Sequence, residues 1–206
     1  MNKSVSVMQQ VRTCIEKMPL GQPFTPASML AYGSRAAVDQ ALSRLNKEGC
    51  IERLGRGVFV RPELSRFAGK VMPEASQVAE AMASRTGAAV AVHGAEAARR
   101  FGLTTQMPTQ PTFITTGPSR RLKIGNMEIR LKHSSSRKLA LAGRPAGEAL
   151  SALWYLGRHE VMPETIGILQ KHLPQEEFKK LSQSRSIMPA WMSDVFSRFE
   201  QSNTNA

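Results

Sequence analysis

Residues 25–61 read TPASMLAYGSRAAVDQALSRLNKEGCIERLGRGVFVR, and their order decides how the first part of the chain folds. Thr25 suits an N-cap, and Pro26 follows at the first helical position, where its missing N–H costs nothing. Gly33 ends this short helix and allows a positive φ. Ser34 caps a second helix in which Val38, Ala41, Leu42 and Leu45 recur with the helical period. The opposite face carries Ala36, Gln40, Ser43 and Lys47, flanked by Arg35 and Arg44, and Gly49 closes the helix. Cys50–Leu54 and Val58–Val60 then read as strands joined across Gly55, Arg56 and Gly57.

The succession of cap, helix, glycine, cap, helix, glycine and basic-tipped hairpin is the pattern of a winged helix-turn-helix, whose second helix enters a DNA major groove. Each piece is common by itself: small amphipathic helix pairs occur in many proteins, and an Arg-tipped hairpin is usually a solvated turn. The composition of the outer face adds weight. Ser34, Ala36 and Ser43 are small enough to let the helix lie close to base edges, whereas a merely solvated helix tends to carry Glu and Lys there. Arg35 and Gln40 are the candidate base readers, since Arg pairs with guanine and Gln with adenine by two hydrogen bonds. Arg44, Lys47, Arg53 and Arg56 are candidates for phosphate or minor-groove contact.

The chain has 206 residues and a formal net charge of +12, with 41% hydrophobic and 21% charged residues. That is an ordinary globular composition with room for one or two domains. The positive excess favours a polyanionic partner, nucleic acid before an anionic membrane. No apolar run is long enough to span a bilayer, and the polar, amphipathic opening MNKSVSVMQQVRTCIEK does not read as a secretory signal. Cys14 and Cys50 are the only cysteines, too few for a disulfide framework, and read as small buried residues of a reducing compartment. The expected location is therefore cytoplasmic, with no membrane partner.

Residues 4–18 precede the quoted stretch as a helix with Val7, Met8, Val11, Cys14, Ile15 and Met18 on one side. Phe24 is expected to anchor the following helix to that core. After the hairpin, RPELSRFAGKVMP (residues 61–73) has no clear period, and a domain boundary is expected near residue 66. A helix is expected over Glu74–Thr86 and a strand over Ala88–Val92, followed by a small helix over Gly94–Phe101. Strands are expected over Thr112–Thr115, Arg121–Ile124 and Met127–Lys132, the last two joined by Gly125-Asn126, a good hairpin turn. Helices are expected over Ala146–Leu156, Met162–His172, Gln175–Gln183 and Ala190–Gln201, with QSNTNA frayed. The fold class is thus α+β: an N-terminal winged helix-turn-helix domain (residues 1–66), then a compact α/β domain (residues 67–206) with a small antiparallel sheet and C-terminal helices.

Positive charge collects again between Pro118 and Arg144, where Glu128 is the sole acid. Arg120, Arg121, Lys123, Arg130 and Lys132 are read as a second basic surface for nucleic acid or an acidic partner, against the plainer reading of a solvated sheet face. Signs of catalysis are missing. His93, His133, His159 and His172 are scattered without metal-ligand spacing, and no phosphate-binding loop, dinucleotide fingerprint or Gly-x-Ser-x-Gly elbow is present. No clustered carboxylates stand ready to hold a hard cation. A non-enzymatic protein without cofactor or metal is expected.

The second part carries PEASQVAEAMASRTG, then HGAEAARRFGLTTQMPTQPTFITTGPSRRLKIGNMEIRLKH, then IMPAWM near the end. With the winged segment, these stretches resemble the AbiEi-type antitoxins of bacterial toxin–antitoxin and phage abortive-infection operons. The resemblance covers nearly the whole chain, which is short for the broader group. It implies a winged domain that binds inverted repeats in its own operon's promoter and represses it; self-association on that DNA is expected separately, because one small winged domain buries little surface. It also implies a C-terminal domain that opposes a nucleotidyltransferase-like toxin, without a stable complex between the two. The alternatives are a DNA-binding regulator whose second domain senses a ligand or dimerises, and an RNA-binding protein using the Arg120–Arg144 region.

Overall fold

The computed structural model describes residues 6–66 and 69–204. It is a mixed α+β chain, and it divides into two compact units: Met1–Gly87 with Arg121–Ile129, and Ala88–Arg120 with Arg130–Ala206.

The first unit opens with α1 (Val7–Glu16), capped by the Ser6 hydroxyl, which accepts the N–H of Gln9. Residues 4 and 5, expected to start this helix, lie outside the described residues. Strand β1 (Pro23–Phe24) and a 3₁₀ helix over Pro26–Tyr32 follow. Thr25 precedes that helix without a capping bond from its side chain; its backbone carbonyl instead accepts from the N–H and hydroxyl of Ser28. Gly33 does not take the expected left-handed conformation. Its φ of 165° is extended backbone open to any residue, and what excludes a side chain is space, since a Cβ would lie 2.9 Å from Cγ2 of Val7.

Helix α2 (Arg35–Lys47) buries Val38, Ala41, Leu42 and Leu45, the four residues that the period selects. They meet Val11 and Ile15 of α1, Met29 of the 3₁₀ helix, Phe24 and Ile51 in one core. Each fully buried Leu or Ile there contributes about 1.5–3 kcal/mol by leaving water. Strands β2 (Glu52–Gly55) and β3 (Val58–Val60) form an antiparallel hairpin, and β1 adds to its far edge in the order β1-β3-β2. Phe24 of β1 stacks on Phe59 of β3 with ring centroids 6.0 Å apart, which is how the anticipated anchoring residue holds.

Strands β4 (Glu63–Ser65) and β5 (Gly69–Val71) make a second antiparallel hairpin. The expected boundary at residue 66 therefore falls in a hairpin turn. The first unit continues through α3 (Ala75–Ser84), whose buried Val78, Ala79 and Met82 give it an apolar face of its own.

The second unit takes up the chain with β6 (Val90–Val92), α4 (Gly94–Arg100) and β7 (Thr112–Thr115). Then come β8 (Arg120–Ile124) and β9 (Met127–His133), across whose hairpin the division between units runs. These strands order as β6-β7-β9-β8. The β6–β7 pair is antiparallel, but β7 runs parallel to β9, Phe113 opposite Leu131, so this sheet is mixed where an antiparallel one was anticipated.

Helices α5 (Pro145–Leu156), α6 (Pro163–His172), α7 (Gln175–Gln183) and α8 (Ala190–Thr204) complete the unit, with a 3₁₀ turn at Arg185–Ile187. The last helix runs three residues beyond the anticipated Gln201, and 205–206 lie outside the described residues. Helix α4 lies close against α5 because small residues face each other: a Cβ on Gly94 would sit 2.3 Å from the Ser151 carbonyl oxygen. Leu150, Leu153, Ile166, Leu169, Met192 and Phe196 are wholly buried in the core of this unit. No helix among the described residues is long and apolar enough to cross a membrane.

Candidate nucleic-acid interface

Helix α2 presents the candidate interface because its packing leaves one face open. The Ser34 hydroxyl accepts the Ala37 N–H at 3.3 Å, fixing where the helix begins. With the apolar stripe turned into the core, Ser34, Arg35, Ala36, Gln40, Ser43, Arg44 and Lys47 are all exposed. Arg35 is not idle. Its Nε donates to Oδ2 of Asp39 at 2.8 Å, a pair one helical turn long whose side chains are each about half exposed. Asp39 was missed in the sequence, although its four-residue spacing from Arg35 is the usual signature of such a pair.

The far end of α2 is tied down instead. Arg12 of α1 reaches Oε2 of Glu48 at 2.5 Å and lies 3.6 Å from Sγ of Cys50. The Glu48 hydrogen bond pushes the Arg12 guanidinium above its usual range. Cys50 is exposed and Cys14 half-buried, so neither is the buried cysteine that composition suggested; Cys50 sits past the end of the helix, where no core covers it.

The β2–β3 turn is tighter than anticipated. Gly55 belongs to β2, and only Arg56 and Gly57 form the turn, with Gly57 at φ +74°. The register shifts between Arg53 and Gly55, a bulge that bends the tip. Arg53 and Arg56 are exposed, and the Arg53 Nε donates to the Gly55 carbonyl at 3.3 Å. At the base, Arg61 donates to the carbonyls of Glu16 and Met18 at 2.8 and 3.2 Å, fastening the strand exit to the end of α1. A groove of about 480 Å³ elsewhere in this unit is lined by Leu20, Pro23, Gln77 and Glu80 among others. With a carboxylate and no cation in its lining, it is unsuited to phosphate.

Within the second basic surface, strand alternation sets Arg120 apart. Along β8, Leu122 and Ile124 are buried while Arg121 and Lys123 are exposed, so strand alternation puts Arg120 on the side of the buried pair. Arg121 and Lys123 belong to the first compact unit; Arg120, Arg130 and Lys132 belong to the second. On β9, Ile129 and Leu131 are buried, Arg130 is half-buried and Lys132 exposed. The Lys132 charge, after burial, pushes the His93 imidazole below its usual range. His93 caps α4 through Nδ1, which accepts the Ala95 N–H at 3.3 Å, a structural use of that ring.

Several other cations of the second unit are spent on internal structure. Arg99 and Arg100 both pair with Glu96, and Arg100 also with Glu148. Arg137 donates to the carbonyls of Ile187 and Met188, and Lys138 lies 4.6 Å over the Trp154 ring. A family model described as a family of unknown function (DUF6088) matches residues 10–181. No curated protein matches the chain.

Proposed function

The chain belongs to the DUF6088 family, whose function is unknown, and we propose from its geometry that it is a sequence-specific DNA-binding regulator of the winged helix-turn-helix kind. One observation carries the proposal: the whole outer face of α2 is exposed, small and polar, while its inner face is locked into a three-helix core. In this reading α2 lies in the major groove, with Arg35 and Gln40 on base edges and Ala36 and Ser43 allowing close approach. Arg44, Lys47, Arg53 and Arg56 contact phosphates, the last two from the β2–β3 wing. Asp39 holds Arg35 extended along the helix until guanine replaces it.

The test is a gel-shift titration of the full chain on duplex DNA from upstream of its own gene. Arg35→Ala or Gln40→Ala should each cost about 1–3 kcal/mol on the bound site and relax sequence preference there. Unchanged affinity in both variants would remove α2 as the reader.

We further propose that this regulator is an autorepressing antitoxin, with residues 67–206 opposing a nucleotidyltransferase-like toxin. Its support is the likeness of residues 73–87, 93–133 and 187–192 to AbiEi-type antitoxins. The prediction is that the full chain restores growth to cells making a nucleotidyltransferase-like protein encoded beside it, and no rescue would leave only the DNA-binding half.

A further inference from the structure

Leu122 of β8 is seated on Gly55, at the end of β2 and one residue from the Arg56 turn. A Cβ at position 55 would lie 2.1 Å from Cδ1 of Leu122 and 3.1 Å from its Cγ, so the leucine fills the space that glycine leaves. Leu122 is only 8% exposed, and Ile124, two residues on, is 3% exposed. Strand alternation turns Arg121 and Lys123 the opposite way, into solvent. Their Cα atoms are each about 3.8 Å from that of Leu122. Both flexible cations are therefore anchored beside the wing by the leucine between them. Among the described residues neither is held in an ion pair or a hydrogen bond.

We propose that Arg121 and Lys123 are phosphate contacts of the same duplex-DNA interface, supplied by a strand more than fifty positions downstream of the wing. The inference rests on the DNA-binding reading above and adds two residues to it. Charge complementarity commits the surface to a polyanion, and continuity with Arg53 and Arg56 commits it to the backbone that the wing already follows.

The experiment uses the full chain, a mixed-sequence duplex of about 30 base pairs and fluorescence anisotropy over about 50–200 mM salt. Each lost phosphate contact lowers the slope of log K against log salt by about 0.9, so Arg121→Gln with Lys123→Gln should flatten it by about 1.8. Lys171→Gln with Lys179→Gln, exposed lysines of α6 and α7, removes the same charge and should leave the slope as it was. Equal flattening by both pairs would reduce the effect to net charge and overturn the proposal. A slope unchanged by the Arg121/Lys123 pair but flattened by Arg56→Gln would overturn it while sparing the DNA-binding reading. Flattening seen on single-stranded RNA of the same length but not on the duplex would also overturn it. Absence of any salt-dependent duplex binding by the unsubstituted chain would sink both.

Discussion

Arg35 and Arg144 each meet a carboxylate, and the two pairs are built for different ends. Arg144 precedes α5 and grips Glu177 of α7 with both Nε and Nη2, at 3.1 and 2.5 Å from Oε1. The other Glu177 oxygen accepts the Ala146 N–H at 3.1 Å, satisfying a donor in the first turn of α5. The Glu177 side chain is only 12% exposed. Arg35 and Asp39, by contrast, share one turn of one helix at 53% and 49% exposure, and a single hydrogen bond joins them. A pair that joins two helices and fills a backbone donor cannot be opened without loosening the fold. A pair on one exposed turn is opened at little cost, as i,i+4 pairs in water are worth little. Counting arginines therefore does not locate an interface; what each arginine already holds does.

The largest effect should come from breaking the cross-helix pair. Hydrogen bonds from Arg144 first, and then from Ala146, hold the Glu177 carboxyl below its usual range. A carboxylate whose pKa is lower folded than unfolded stabilises above its unfolded value and loses that contribution as pH falls through the folded one. Thermal melts of the unsubstituted chain should thus drop steeply from about pH 5 downward. Glu177→Gln should melt lower at neutral pH and show a flatter acid limb, with DNA affinity unaltered. An acid limb as steep as before would mean that other carboxylates dominate it.

A smaller effect, of opposite sign, should follow from opening the exposed pair. Asp39→Ala removes a negative charge from the proposed DNA face and frees Arg35. Duplex affinity should rise severalfold at low salt while the melting temperature hardly moves. Weaker binding by Asp39→Ala would show instead that the pair positions Arg35, and Asp39→Asn would then restore part of the loss.

Much of the first unit was legible because its signals are local. The apolar spacing of Val38, Ala41, Leu42 and Leu45 fixed both the helix and its buried side, and the Ser34 cap fixed its start. Gln175–Gln183 and Thr112–Thr115 fall where periodicity and flanking breakers set them. What escaped was non-local. Nothing in the two residues Pro23 and Phe24 announces a strand, which exists only because β3 offers an edge. Nothing in RRLKI says that its leucine meets a glycine encoded far upstream. Gly33 misled differently: a glycine after a helix suggests a left-handed residue, whereas here it makes room for Val7.

The discontinuity of the first unit bears on how the chain is made. Met1–Gly87 is finished only by Arg121–Ile129. At synthesis speeds of about 5–20 residues per second, the intervening residues 88–120 take roughly 2–7 s to be added. During that interval the hollow over Gly55 has no leucine in it. A nascent chain stalled before Leu122 would therefore lack a piece of its first unit.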